Sequence, residues 1–215
     1  GAANQLLQHG REGGDDRYRG RGGFLPTVDS RNILPLTHYF VKAAQEAGFQ
    51  LNADYNGEKQ DGVTYIQMNR LGRFRASTAN TYLSKALNRG SLQVESDATA
   101  TGLKFKDARC IGVFFVQGGL IREVSANREV ILAMGTVGSP HLLQVSGVGP
   151  VEYLKTIGIR PVHDLPGVGT NLCDHYSVRL LHRVKGLISM NELSRGWRLA
   201  REAIRYLVTG QGALA

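Results

Sequence analysis

The residues best suited to bind a ligand follow an apolar run at positions 129–133. A continuous apolar run of this length predicts a strand that is buried on both faces of a parallel sheet. Ala133 ends the run and Gly135 follows, and small residues at the carboxyl end of such a strand let the backbone approach a flat ligand. Ser139, which precedes a proline, predicts the start of a short helix whose free N–H groups attract an anion. The same residues are also typical of an ordinary turn between a strand and a helix.

The sequence contains no pattern of side chains typical of an acid–base, nucleophilic or metal-binding site. No pair among the six histidines has the spacing of a zinc site, and no Gly-x-Ser-x-Gly turn presents a nucleophile. Cys110 and Cys173 predict buried thiols in a reducing compartment rather than a disulfide framework. A Gly-x-Gly-x-x-Gly loop would hold a dinucleotide phosphate, but Gly210 and Gly212 follow a predicted helix instead of a strand. We therefore assign no catalytic and no metal-binding residue from the sequence.

A longer pattern surrounds Gly135 and Ser139. Residues 135–150 (GTVGSPHLLQVSGVGP) resemble the second signature of the glucose-methanol-choline (GMC) oxidoreductases at every defined position. Other blocks of that family are matched by residues 75–79 (RASTA), 128–135 (REVILAMG), 163–175 (HDLPGVGTNLCDH) and 206–215 (YLVTGQGALA). The LPGVG-containing block gives the closest resemblance to the choline-dehydrogenase-like branch.

The resemblance implies an FAD-dependent oxidoreductase that transfers hydride from the CH–OH group of a small alcohol to the flavin, with an unidentified electron acceptor. It also implies that Ala133, Gly135 and Ser139 contribute to FAD binding, and that the backbone of Ala100 pairs with the adenine. In the family, the catalytic histidine pair lies near the C-terminus of a much longer chain, and the phosphate loop lies near its N-terminus. We expect neither in this chain. Alone, it is expected to be inactive and to bind FAD poorly.

The expected fold class is α/β with mixed α+β character. By analogy with the family, residues 76–162 form part of a Rossmann-like FAD-binding domain that carries a three-strand antiparallel meander. Residues 1–75, with an N-terminal loop, and residues 163–215 are expected to be segments of a substrate domain.

The meander is predicted from three extended runs, at 100–105, 110–116 and 120–124. Gly118 and Gly119 separate the last two runs and predict a tight hairpin turn. A strand meander inserted between helices and a buried strand supports the mixed fold class.

Helices are predicted on both sides of the meander. Asn32 is the expected cap of the first helix, and Gly48 is expected to end it. A short strand is predicted at 92–94. The last helix is predicted from about Ser194 to Val208, with an apolar face along one side. That face consists of Trp197, Ala200, Ala203, Ile204, Leu207 and Val208.

The composition of the chain limits which other classes of protein it could belong to. The chain has a net charge of +8 and no apolar run near the roughly 20 residues that span a membrane. Two alternatives stay open: an inert family member that binds a partner protein, and a basic nucleic-acid-binding protein. The second would use an arginine-rich segment comprising Arg11, Arg17, Arg19 and Arg21. We expect an alcohol rather than nucleic acid as the partner, and a cytoplasmic location, with peripheral membrane binding as the alternative.

Overall fold

The computed structural model describes residues 16–18, 20, 22–30 and 32–214. The chain divides into two compact units. The first combines the residues up to Gln93 with those from Leu181 onward, and the second is Val94–Leu180. Within the described ranges, no helix is both long and apolar enough to cross a bilayer. The domain boundaries expected from the family remain a prediction.

Strands and helices are short except in the meander and in three helices, which have 12, 11 and 14 residues. The strands are β1 (Val28–Asp29), β2 (Gln67–Met68), β3 (Arg70–Leu71), β4 (Phe74–Arg75), β5 (Ala98–Lys106), β6 (Arg109–Gln117), β7 (Leu120–Ser125), β8 (Val148–Gly149) and β9 (His163–Asp164). The helices are α1 (Pro35–Glu46), α2 (Ser84–Leu87), α3 (Gly135–Val145), α4 (Val151–Thr156), α5 (Met190–Leu193) and α6 (Gly196–Thr209). A π-helical turn, Ala79–Leu83, leads into α2.

The predicted meander is confirmed. Strands β5, β6 and β7 form an antiparallel sheet in chain order. Gly118 and Gly119 connect β6 to β7 with φ angles of 59° and 77°. Positive φ at both central residues is the geometry of a type I′ turn, which matches the right-handed twist of the strands it joins.

The first unit is held by small antiparallel pairs, β1 with β2 and β3 with β4, and by a limited core. Its buried apolar residues are Val41, Ala76 and Leu193. The prediction that Asn32 caps α1 is wrong, because Leu34 occupies the N-cap position and Pro35 starts the helix. Asn32 instead accepts a hydrogen bond from the N–H of Gly212.

The last predicted helix is two helices, since the chain breaks between α5 and α6. The start predicted at Ser194 is wrong for this reason. The apolar side chains do not form the buried side of α6, because Trp197 and Val208 are largely exposed while Glu202 is buried. Glu202 is drawn inside because the N–H of Ala213 and two arginines satisfy its carboxylate.

Two predicted strands are absent from the described residues. Residues 92–94 and 129–133 form no strand there, and Ile131 is 79% exposed. A central strand of a parallel sheet needs a neighbour on each side to satisfy its backbone. The described chain offers no such neighbours, so an apolar sequence alone does not make 129–133 a strand.

The second unit packs α3 against the meander. Helix α3 contacts β5 and β8, and β8 pairs in parallel with β9. The buried residues Leu103, Leu142 and Leu154 come from β5, α3 and α4. This packing fixes the position of α3, whose first turns contain two of the four predicted ligand-binding residues, Gly135 and Ser139.

Candidate functional site

Helix α3 begins at Gly135, four residues earlier than predicted. Gly135 has a φ angle of 78°, a conformation that side chains other than glycine rarely adopt. A Cβ atom there would meet no other atom within 4 Å, so backbone conformation rather than lack of space requires the glycine. The turn at Gly135 therefore opens toward free space at the helix N-terminus.

The sequence predicted that Ser139 starts the helix. In the structure, Ser139 instead lies inside the first turns of α3. Its Oγ accepts a hydrogen bond from the backbone N–H of Met134 at 3.1 Å. Met134 is the N-cap residue and provides no side-chain cap, and the first turn contains no acidic residue. The first N–H groups of a helix lack intrahelical acceptors and carry its positive dipole end. The start of α3 is thus able to bind an anion or an electronegative ring atom.

The segment before α3, residues 130–133, has one half-buried side and one exposed side. Val130 and Leu132 are half-buried, while Ile131 and Ala133 are exposed. The buried side faces a mainly apolar cavity of about 440 Å³. Its lining comes from the meander, α3, β8 and the segment itself and includes Leu103, Phe105, Cys110, Val130, Leu132 and Leu143. The exposed side places Ala133 next to Gly135 at the open end of the segment.

Ala100 lies on β5, opposite Phe115 of β6. The pairing is irregular between Ala100 and Gly102, where β5 carries a bulge. Bulges redirect the backbone and side chains beside them. Three residues after Ala100, the N–H of Leu103 donates to Ser146 Oγ at 2.8 Å.

These contacts bring some of the predicted residues together. Ala133, Gly135 and Ser139 are adjacent at the start of α3. Ala100 belongs to the strand that is tied to the opposite end of the same helix. Helix α3 therefore connects both parts of the predicted site within one unit.

Ser146 is a residue whose role the sequence did not reveal. Its Oγ accepts from Leu103 and donates to the carbonyl of Leu142, so it joins the end of α3 to β5. Neighbouring Gly147 has a φ angle of 87°, and a Cβ there would lie 2.6 Å from the carbonyl oxygen of Arg160. The Ser-Gly pair of the 135–150 block is the only sequence signal that could have indicated this packing role.

The described histidines assemble no catalytic group. No cluster of three or more potential metal ligands occurs in residues 16–18, 20, 22–30 and 32–214. His175 is exposed and its Nδ1 lies 4.0 Å from the carboxylate of Asp174. Its backbone N–H donates to the same carboxylate at 2.7 Å.

Two carboxylates outside this region have altered acidity. The Ala213 N–H bond lowers the pKa of Glu202 below its ordinary value of 4.5, Arg205 and Arg201 reinforce that shift, and burial opposes it. Hydrogen bonds from Ser189 lower the pKa of Glu192 in the same direction. Both carboxylates stabilise local structure in the first unit, at the turn after α6 and at the start of α5.

Comparison with known proteins gives a consistent pattern. The sequence model described as GMC oxidoreductase matches residues 26–177. The chain is 39% identical over 202 residues to the oxygen-dependent choline dehydrogenase of Photobacterium profundum. It is 37% identical over 177 residues to the alcohol dehydrogenase [acceptor] of Pseudomonas putida. These alignments cover 89% and 81% of this chain, but only 36% and 32% of the relatives.

Solved structures show the same relation. An FAD-dependent oxidoreductase from Chaetomium thermophilum superimposes with a TM-score of 0.81 at 25% identity. The match covers 99% of this chain and 37% of the other. The chain therefore spans about a third of the length of the proteins it matches, and nearly all of it adopts their fold.

Proposed function

The chain belongs to the GMC oxidoreductase family, and from this premise we propose that it forms part of an FAD-dependent oxidoreductase. The enzyme would transfer hydride from the CH–OH group of a small alcohol to the flavin. Its relatives include proteins named choline dehydrogenase and alcohol dehydrogenase, which supports this substrate class. The electron acceptor is left open.

The observation that carries the proposal is the backbone at the start of α3. Gly135 has positive φ, the helix N-terminus lacks a side-chain cap, and no acidic residue lies in its first turn. A flavin or a pyrophosphate is flat or anionic, so these features fit FAD. Ala133 supports the fit, because its methyl group leaves the backbone accessible.

We propose two further roles in FAD binding. Ser139 would act as a positioning residue, since its bond to Met134 holds the backbone that leads into α3. Ala100, which is half-buried beside the bulge of β5, would contact the adenine through its backbone. A backbone contact needs no particular side chain, which accounts for an alanine at this position.

When bound, FAD supplies the hydride acceptor of the reaction. The residues of this chain would hold and orient the cofactor and exclude water from one side of it. Nothing in the described histidines supports a role as the base that removes the hydroxyl proton, so no catalytic residue is proposed in this chain.

Domain roles and location are also proposed. Residues 76–162 would contribute to the FAD-binding domain, with 1–75 and 163–215 contributing to the substrate domain. A cytoplasmic location is supported by two free thiols, Cys110 and Cys173. The predicted burial is wrong for Cys173, which is exposed. Nucleic acid is not proposed as a partner, although Arg11, Arg19 and Arg21 lie outside the described residues.

The function is tested with the whole open reading frame that contains this chain. We expect this frame to encode a Gly-x-Gly-x-x-Gly loop upstream and a histidine-containing segment downstream. The purified product should show a flavin spectrum and should oxidise an alcohol. A frame without the loop, whose product lacks flavin but captures a partner protein, would support the inert protein-binding alternative instead.

A matched pair of variants tests the site within that protein. Gly135→Val should lower the FAD affinity by about tenfold, because a β-branched residue at this φ is strained. Gly158→Asn is the control, since Gly158 also has positive φ and open surroundings, but asparagine tolerates that conformation. Equal FAD content in both variants would rule out the proposed role of Gly135.

A further inference from the structure

One side chain of the second unit lies between the two Gly-Val-Gly sequences of the chain, residues 147–149 and 167–169. It belongs to Gln144, which is half-buried in the last turn of α3. A Cβ atom on Gly149 would lie 3.3 Å from Gln144 Cγ, and a Cβ atom on Gly169 would lie 2.5 Å from Gln144 Nε2. The last glycine of each sequence therefore leaves the space that the Gln144 side chain occupies.

A hydrogen bond holds Gln144 in this space. Its Nε2 donates to the carbonyl of Val168 at 3.2 Å, and the side chain of Val168 is buried. The next residue, Gly169, has a φ angle of 80°, which residues other than glycine rarely adopt. Glycine is thus required at 169 both by the backbone conformation and by the contact with Gln144.

Val168 belongs to a turn formed by residues 165–170. Its N–H donates to the carbonyl of Leu165 at 3.1 Å. The N–H of Leu165 donates in turn to the carbonyl of Gly149 in β8, also at 3.1 Å. Strand β8 therefore holds the start of the turn, and Gln144 holds its end.

The backbone that follows the turn has no such support. Residues 171–180 form neither helix nor strand, and all of them are exposed. Within the described part of the chain, none of their N–H groups donates to a backbone carbonyl. Asn171, which begins this segment, has a φ angle of 58°. The direction in which the segment leaves the second unit is therefore set by the turn that Gln144 holds.

We propose that Gln144 is a positioning residue for hydride transfer. Gln144 belongs to residues 76–162, which are proposed to contribute to the FAD-binding domain. Val168 belongs to residues 163–215, which are proposed to contribute to the substrate domain. Hydride transfer requires the alcohol to be oriented against the flavin, so the alignment of these two parts affects the rate. This inference rests on the proposed function.

The test uses the whole protein that contains this chain and two matched pairs of variants. Gln144→Leu removes the amide donor and keeps a side chain of similar size. Gln45→Leu is its control, because Gln45 is exposed on α1. Gly169→Ala places a methyl group against Gln144 Nε2. Gly158→Ala is its control, because Gly158 has a similar φ angle, 74°, but open surroundings.

Hydrogen–deuterium exchange reports on the turn without requiring activity. Gln144→Leu and Gly169→Ala should each raise the exchange rate of the Val168 N–H roughly fivefold, the effect of losing one hydrogen bond. The double variant should exchange no faster than Gly169→Ala alone, because both changes remove the same contact. The two controls should stay within about twofold of the unaltered protein.

Kinetics then separate positioning from packing. For each mole of bound flavin, Gln144→Leu and Gly169→Ala should lower kcat/KM for the alcohol about tenfold, because the two parts are misaligned. The flavin content of the purified variants should stay unchanged. A side chain that only stabilised the fold would lower the yield of flavin-loaded protein and leave kcat/KM per flavin as it was.

Four results would overturn the proposal, and they are distinguishable. Unchanged exchange at Val168 in Gln144→Leu would show that Gln144 does not hold the turn. Faster exchange with unchanged kcat/KM per flavin would leave Gln144 with a packing role only. Additive effects in the double variant would mean that Gly169 acts through its own backbone and not through Gln144. A whole protein that neither binds flavin nor oxidises an alcohol would overturn the proposed function and the positioning role with it.

Discussion

At the residue scale, the turn after α6 depends on Glu202 and Gly212. Gly212 has a φ angle of 110°, and a Cβ there would lie 2.7 Å from Glu202 Oε2. The N–H of Ala213 donates to that same oxygen. The buried carboxylate therefore holds the turn in a conformation that only glycine can adopt at this position.

Gly212→Ala should lower the free energy of unfolding by about 1–3 kcal/mol, because it adds backbone strain and displaces Glu202. Thermal unfolding checks this result. Gly167→Ala is the matched control, since Gly167 has open surroundings and no positive φ, and its midpoint should stay within the range of neutral surface changes. Similar midpoints for both variants would show that the close approach to Glu202 is unimportant.

The lowered pKa of Glu202 makes the free energy of unfolding depend on pH. Its pKa is lowered in the folded chain, so its stabilising contribution is present above pH 4.5 and is lost as the pH falls through the folded value. Glu202→Gln should cost about 1.5–3 kcal/mol at neutral pH, the value of a hydrogen bond to a charged group, and less in acid. Glu152→Gln, which removes an exposed ion pair with Lys155, should cost little at either pH. A constant difference between wild type and Glu202→Gln across pH would contradict this assignment.

Some of these single-residue roles could be predicted from sequence and others could not. The Ser-x-x-Glu spacing of Ser189 and Glu192 is that of a capping box, and α5 has one. The need for a flexible backbone at Gly135 was also predictable. The burial of Glu202 was not, because it depends on the N–H of a residue that follows the helix.

At the element scale, the meander was predictable because its signals are local. Alternating extended runs and a Gly-Gly turn specify a hairpin without help from distant residues. The conformation of residues 129–133 was not predictable, because a parallel strand forms only beside neighbouring strands that are distant in sequence. The start of α3 was missed because Pro140 was taken as a helix start, whereas the helix continues through it.

Ser146→Ala tests the link between α3 and β5. It should lower the free energy of unfolding by about 1–3 kcal/mol, because the buried Leu103 N–H would lose its acceptor. Chemical denaturation measures this change. Ser125→Ala at the exposed end of β7 should be nearly neutral, and equal effects of the two changes would exclude a special role for Ser146.

At the scale of the whole molecule, each of the two units exposes large apolar side chains, such as Phe40 and Trp197 in the first and Ile121 and Ile131 in the second. Because the chain spans about a third of its relatives, these side chains are consistent with surfaces that contact further segments in those proteins. The division into two units could not be read from the sequence, because the first unit joins residues that are far apart in the chain.

The 215-residue chain expressed alone should not retain FAD, because it lacks a phosphate-binding glycine loop between a strand and a helix. Absorption spectroscopy after purification with added FAD checks this outcome. A chain that retains stoichiometric flavin would show that the start of α3 and the meander suffice for binding.

The extended segment 129–133 has a consequence for handling the protein. It is rich in β-branched and aliphatic residues, contains no proline, and its backbone has no hydrogen-bond partner within the described ranges. Such a segment can stack in register with copies of itself and start a cross-β fibril. We expect concentrated samples to form fibrils that bind thioflavin T, and Ile131→Lys to delay them by adding a repulsive charge. The apolar run that predicts a strand would thus be a site of amyloid-like aggregation in the isolated chain.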